Sequence, residues 1–391
     1  ALDTGVFDLC MARTLDAALD AARGWRGPPQ NVLVASSDGR IGWTIGGSLP
    51  ARAVRTPAPI GWREAPAWSG LVSAADKPVL KDPPSGILTS GNQMPIVPTG
   101  ALAGVIGGDE APGDRAHRLR ELLAARSDWS EEELHSVQLD VRSPRLLRWR
   151  DALLALVPAE SADDAVRQAR EVLAAWNGDV TADAQAPVVL DAARAAARTA
   201  VADAIAARAG MRGVDGAALR PAIDDEAALR IVESRAAHLR PGPSDAWSGF
   251  ATDVLARAAQ AARAKEPADA SVFRSRGDDN RAAIRHPAAD ALGAAARMAE
   301  MPRTRLPGHP TCIRVQTPQF GASQRSVVCP SELDDAILVT PCGQAGMPTS
   351  PHFRSLHAPW EQGVPFPLVP GAAVRRVTLV REAPPAPAPA G

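Results

Sequence analysis

The chain has 391 residues, 46% of them hydrophobic and 22% charged, the ordinary balance of a soluble globular protein with room for one large domain or two smaller ones. A formal net charge of −1 gives no electrostatic footprint for nucleic acid or for an anionic membrane surface. No apolar run reaches the ~18–20 residues that a membrane-spanning helix needs, and Ala1-Leu2-Asp3-Thr4-Gly5 lacks the basic and apolar regions of a signal peptide. Positive charge is nearly all Arg, with Lys only at Lys77, Lys81 and Lys265, and Tyr is absent. Together with Ala-rich stretches this points to a GC-rich bacterial genome, which concerns codon supply rather than mechanism. The opening Ala1, in place of Met, reads as a processed product or a partial reading frame.

Taken in order, Phe7 to Arg23 has helical spacing, with Leu9, Leu15, Ala18 and Leu19 apolar. From Asn31 to about Ile106 short strands and turns are expected. Asn31 to Gly47 is the strongest signal: a β-rich run, the tight-turn pair Asp38-Gly39, then a second β-rich run. From about Gly113 to Met301 the chain reads as Ala-rich helices with solvated Arg and Asp faces. Ser130 with Glu133 fits a capping box, and Trp176-Asn177-Gly178 and Arg240-Pro241-Gly242-Pro243 break helical stretches. Strands return from about Pro307 to Arg381 in three β-branched runs, Cys312–Val315, Arg325–Val328 and Ala336–Val339. Pro384 to Gly391 is a Pro-Ala tail, expected to be disordered. The order of strands, helices and strands predicts an α+β chain whose terminal strand regions pair into one sheet system with helices packed around it. The expected organisation is a β-rich segment over 1–110, a helical region over 111–305, a second β-rich segment over 306–382 and a tail over 383–391.

The four cysteines, Cys10, Cys312, Cys329 and Cys342, show no metal-ligand spacing. Cys312 and Cys329 lie symmetrically about Phe320-Gly321 and would face each other if that stretch were a hairpin; the alternative is buried free thiols. The seven histidines show no zinc spacing such as H-E-x-x-H.

A series of short motifs resembles the penicillin acylase family. Pro29-Gln30-Asn31, followed by Ala35-Ser36-Ser37-Asp38-Gly39-Arg40-Ile41-Gly42, matches the family's "PQN…AD..G.IG" hairpin, and Gly47 with Pro50-Ala51-Arg52 fits its continuation. Trp68-Ser69-Gly70 resembles "W.G", and Pro84-Ser85-Gly86-Ile87-Leu88-Thr89-Ser90-Gly91-Asn92 resembles "P..G.I.TAN". Further on, Arg115 with Arg118-Leu119, then Gln138-Leu139-Asp140 with Ser143, then Gly321-Ala322-Ser323-Gln324-Arg325 and the stretch Gly343 to His352 resemble family segments in family order, and Trp360 follows at the usual distance. The match covers the chain from about residue 7 to residue 381.

The resemblance implies an αββα sandwich of the N-terminal-nucleophile hydrolase type. It also implies hydrolysis of an amide in an acylated small molecule or peptide, of the β-lactam, acyl-homoserine lactone or lipopeptide kind. Family members mature from a self-cleaving precursor. They use the N-terminal Ser of the β-subunit as nucleophile and its α-amine as base. Here the match begins inside the usual β-subunit, so the expected partners are an α-subunit and a first β-segment that carries the Ser, together with the amide substrate. The alternative is a truncated or degenerate homologue that binds or scaffolds without catalysis. A periplasmic or secreted location follows from resemblance alone.

The resemblance also places two candidate catalytic residues. Asn92 falls at the oxyanion-hole Asn, whose amide N–H stabilises the developing oxyanion; read without the resemblance, it is a turn Asn serving its local backbone. Arg115, 23 residues on, falls at an active-site Arg able to orient the Asn and the amine; otherwise it is a helix-start Arg. Arg118 is its near neighbour and fits the family's second Arg. Gln138 and Asp140 are expected to be structural, and Asp38 a turn residue. Ser323 with His352 and His357 could suggest a Ser-His hydrolase, but Gly321 to Arg325 is not G-x-S-x-G, and His352 is expected to be buried and hydrogen-bonded. No cofactor is expected. Many family members bind a structural calcium, with one ligand between Asn92 and Arg115; Asp109 lies in that stretch but not at the matching position near Ala103.

Overall fold

The computed structural model describes residues 3–52, 61–63, 68–94, 111–210, 223–241, 246–263 and 273–380. The helix expected from Phe7 to Arg23 is two helices, α1 (Val6–Met11) and α2 (Leu15–Gly24). Thr14 breaks the run: it is extended and caps α2 by accepting the Ala17 N–H at 3.2 Å. Helix α2 turns Leu15, Ala18, Leu19 and Ala22 inward onto the expected hairpin, formed by β1 (Gln30–Ala35) and β2 (Ile41–Gly46). Their register pairs Asn31 with Ile45 and Ala35 with Ile41, and Gly39 takes φ +84° in the turn. Helix and strand approach closely at Gly42, where a Cβ would lie 2.8 Å from Leu19 Cδ1. Two short strands follow, β3 (Pro50–Arg52) and β4 (Trp68–Leu71), which pair with each other, and then β5 (Val79–Lys81), which pairs with β2.

The next layer is helical: α3 (Asp114–Leu123), α4 (Glu131–Val137), α5 (Pro144–Leu154), α6 (Asp164–Ala175), α7 (Ala186–Arg208), α8 (Asp225–Ser234) and α9 (Trp247–Ala262). Side-chain caps start four of them: the Ser130–Glu133 capping box, Ser143 on the Leu146 N–H, Asp163 on Ala165 and Val166, and Asp224 on Ala227. Most of the core lies here. Leu190, Ala193 and Ala197 recur at helical spacing on α7 and share a core with Ala251, Leu255, Ala258 and Ala262 of α9, together with Trp149 and Leu173 from α5 and α6. The abundance of Ala lets these helices approach closely, so the same residues that look featureless in sequence form the largest buried cluster among the described residues.

Three expectations are corrected. Long helices end at Ala262; among the described residues from Phe273 to Met301 there are only short turns, at Arg276–Asp279, Ala289–Leu292 and Gly293–Ala299, because Pro287 and the positive-φ Gly293 interrupt the pattern. Cys312–Val315 is not a strand but an irregular segment, preceded by Pro307, Pro310 and Gly308 at φ +94°. The two strand regions do not share a sheet among the described residues. The described strands form three separate sheets, β1-β2-β5, β3-β4 and the hairpin of β6 (Arg325–Cys329) with β7 (Glu332–Val339). The last pairs with itself, and α4 lies against it, Gln138 Nε2 donating to Ser326 O at 2.8 Å.

The proposed facing of Cys312 and Cys329 fails for the same reason. Only Gln316 and Gly321 bridge across Phe320. Cys312 is buried with its Sγ against Val141 O, Cys329 sits beside Ser331, and all four cysteines are free thiols.

Candidate active site

Asn92 lies in the loop that follows β5, and Arg115 is the second residue of α3. The fold brings them together: Arg115 Nη2 donates to Asn92 Oδ1 at 2.9 Å. Asn92 holds φ +65°, a left-handed conformation that Asn tolerates better than most side chains. Its backbone carbonyl accepts the Ala111 N–H at 2.9 Å, and the preceding Gly91 N–H donates to Gln93 Oε1 at 2.7 Å. The loop lies directly on the first turn of α3. A Cβ on Gly91 would stand 3.1 Å from Ala116 N and 3.3 Å from Arg115 Cβ, so the small residue here sets how close loop and helix come.

The contact fixes the amide of Asn92. With Oδ1 engaged by a guanidinium, the Nδ2 group faces away as a donor, and it has no partner among the described residues. A positive charge on the oxygen side also polarises the amide and strengthens its N–H as a donor. Burial pushes the Arg115 guanidinium down from its ordinary value, and the neighbouring Asp114 carboxylate opposes that shift.

Arg118, one turn along α3, does something else. Its Nη2 lies 2.9 Å from Asp140 Oδ2 and its Nη1 3.1 Å from Glu121. The hydrogen bond to Asp140 holds the Arg118 pKa above its ordinary value. Asp140 and Gln138 are therefore structural, as expected: Asp140 anchors α3, and Gln138 anchors β6. Asp38 is a turn residue, taking the Ser36 hydroxyl and the Arg40 N–H.

The Ser-His alternative has no geometry behind it. Ser323 is exposed and shares no hydrogen bond with His352 or His357 among the described residues. His357 Nδ1 lies 2.9 Å from Pro341 O, and its ring stacks on Trp360. His352 is exposed, contrary to expectation; the buried histidines are His135, His309 and His357. Asp109 and Ala103, where a calcium ligand was weighed, lie outside the described residues.

Sequence reasoning missed one group beside the site. Asp114, adjacent to Arg115, accepts Arg145 Nη2 at 2.9 Å and Nε at 3.2 Å. Arg145 is 4% exposed, on the first turn of α5, and also pairs with Glu226. Nothing local distinguishes it from the other arginines; only the Ser143-Pro144 helix start that precedes it is legible. A cavity of about 950 Å³ opens between the β1–β2 hairpin, the Ser85–Leu88 loop and the far end of α3, and neither Asn92 nor Arg115 lines it.

The Penicillin amidase family model matches residues 3–373. "Penicillin acylase 2 proenzyme" of Pseudomonas sp. (strain SE83) is 25% identical over 385 residues, which is 92% of this chain and 46% of that protein. "Acyl-homoserine lactone acylase QuiP" of Pseudomonas aeruginosa is 28% identical over 192 residues, 46% of this chain and 22% of that protein. The chain thus spans less than half the length of either relative. In structure it resembles the thermostable penicillin G acylase of Alcaligenes faecalis, with a TM-score of 0.56 over 97% of this chain and 72% of that one at 16% identity, a likeness of fold. The ordered motifs, the mixed helices and sheets and a family match spanning nearly every residue agree, and the chain belongs to the penicillin amidase family.

Proposed function

We propose that this chain is the oxyanion-stabilising portion of an acylase that hydrolyses the amide bond of an N-acylated small molecule or peptide. The observation that carries the reading is the 2.9 Å contact from Arg115 Nη2 to Asn92 Oδ1, which leaves the Asn92 Nδ2 group as a fixed donor. In amide hydrolysis the carbonyl oxygen gains negative charge as the tetrahedral intermediate forms. A donor already aimed at that position stabilises the transition state more than the substrate. Asn92 supplies the N–H, and Arg115 holds and polarises it.

The nucleophile in this reading is an N-terminal Ser outside the 391 residues, with its α-amine as base, in an αββα sandwich completed by polypeptide that this chain does not contain. Support comes from the family and from the relatives, one a proenzyme by name, of which the chain covers 46% and 22%. The names of the relatives favour β-lactam and acyl-homoserine lactone amides as first substrates. An exported location belongs to the same proposal.

The test uses the protein matured in its own host, assayed on penicillin G and on an N-acyl-homoserine lactone by release of the free amine. Turnover of either that falls by about 10²–10³-fold in Asn92→Ala supports the reading. Turnover of neither, or an Asn92→Ala variant as active as the parent, overturns it.

A further inference from the structure

The placement of α3 has a physical cause that the oxyanion reading does not itself supply. Ala116 is the only residue that α3 buries, so apolar packing alone gives this helix little to fix its position. No side chain caps its N-terminus either, Gly113 being the N-cap. Among the described residues two ion pairs tie it to its neighbours, Arg118 with Asp140 and, one turn earlier, Asp114 with Arg145. The second is the more buried. The side chains of Asp114 and Arg145 are 12% and 5% exposed, and the pair is made through two N–H donors at 2.9 and 3.2 Å.

Arg145 is itself rigidly mounted. It lies in the first turn of α5, where Ser143 caps the Leu146 N–H and Pro144 fixes the backbone. Glu226 of α8 also binds it, and Asp225 stands 3.8 Å away. Asp225 in turn takes Arg194 of α7 at 2.9 Å and the Trp149 indole N–H at 3.2 Å. Asp114 is therefore tied to helices that carry the main buried cluster, while Arg115, the next residue, points to Asn92. Successive residues on a helix differ by about 100° in direction, so one can face the bundle while the other faces the loop.

We propose that the Asp114–Arg145 ion pair is a positioning device, which sets the first turn of α3 and through Arg115 fixes the Asn92 amide against the reacting carbonyl. The inference rests on the oxyanion reading of Asn92 and Arg115. Charge matching within the cluster does not require Asp114. With Asp114 removed, Arg145 keeps Glu226, and Asp225 remains beside it. What is lost is the tie between helix and bundle, in keeping with the role of buried ion pairs in fixing register rather than adding stability. A displacement of the donor by a fraction of an ångström lowers the rate of the chemical step and leaves ground-state binding alone.

The experiment uses the host-matured enzyme on whichever of penicillin G or the N-acyl-homoserine lactone it turns over. Asp114→Ala, Arg115→Ala and the double variant are compared, with Asp114→Asn as the conservative replacement. The expected result is a roughly 10- to 100-fold lower kcat for Asp114→Ala at a KM within about twofold of the parent. Asp114→Asn recovers part of that loss, and Asp114→Ala costs little further kcat when Arg115 is already Ala. An Asp114→Ala enzyme with the parent kcat overturns the inference. So does an equal loss in the presence and absence of Arg115, which is the mark of general damage. If Arg115→Ala itself keeps the parent kcat, the oxyanion reading has failed and the inference falls with it; if Arg115→Ala is slow while Asp114→Ala is not, only the inference has failed.

Discussion

Arg115 and Arg118 sit one turn apart on the same helix, and the proposed function gives them opposite consequences. Arg118 and Asp140 have side chains 15% and 16% exposed and meet at 2.9 Å, with a second, longer contact at 3.4 Å. Among the described residues, Arg118→Ala leaves the Asp140 carboxylate with only the Arg142 N–H, at 3.2 Å. Removing one partner of a buried pair costs about 3–5 kcal/mol, and residual exposure here lowers that to about 2–4 kcal/mol. Arg115 instead makes one charge-assisted bond to an exposed Asn. Arg115→Ala loses about 1.5–3 kcal/mol of transition-state stabilisation, roughly 10- to 150-fold in kcat, with little change in folding stability. The assay is a urea unfolding curve beside steady-state kinetics on the same preparations of the matured protein. Arg118→Ala moves the unfolding midpoint and keeps most of kcat per folded molecule; Arg115→Ala does the reverse. If both variants lose stability and rate in the same proportion, the division of labour along α3 is wrong.

Three further predictions follow from buried groups. His135 is 1% exposed, its Nε2 has no partner among the described residues, and its pKa is lowered by burial and then by Arg325 and Arg314. Its folded pKa lies below the unfolded value of about 6.5, so the unfolded chain takes up the proton first. Its contribution is present above that value and lost as pH falls. Chemical denaturation between pH 7.5 and 5 therefore shows a shallower loss of stability for His135→Leu than for the parent; equal slopes would contradict this. Cys10 is exposed, whereas burial pushes the Cys312 thiol up and closes it off. A thiol reagent followed by peptide mapping labels Cys10 in the native protein and Cys312 only with global unfolding. Leu255, 0% exposed between α9 and its neighbours, gives a loss of about 2–5 kcal/mol on replacement by Ala, read from the shift in denaturation midpoint.

Much of the site was legible because its signals are local or ordered along the chain. Asp38-Gly39 between β-rich runs specifies its own hairpin, and Ser130 with Glu133 specifies a helix start; both formed as read. Asn92 and Arg115 came from the motif order, and the fold sets them 2.9 Å apart. What was illegible depends on tertiary partners. The Thr14 cap divides a helical pattern that hydrophobic spacing alone reads as continuous. The run at Cys312 buries Cys312, whose Sγ meets Val141 O, and Arg314, but leaves Ile313 and Val315 half-buried and without a strand partner among the described residues. Arg145, Arg276, Arg314 and Arg325 are all buried, yet in sequence each resembles a solvated Arg. Their burial follows from carboxylates and carbonyls that only the fold brings near, such as Asp114 for Arg145 and Trp360 O for Arg325.

The central claim is that Asn92 acts as a hydrogen-bond donor held by Arg115, and Asn92→Asp in the matured enzyme tests it most directly. Asp keeps the shape, tolerates the left-handed φ of +65° and binds Arg115 more strongly, so the loop and its stability are retained. It replaces the Nδ2 donor with a second acceptor oxygen. The account predicts a folded, stable enzyme whose kcat falls by about 10²–10³-fold or more; an Asn92→Asp enzyme that turns over at the parent rate would contradict it.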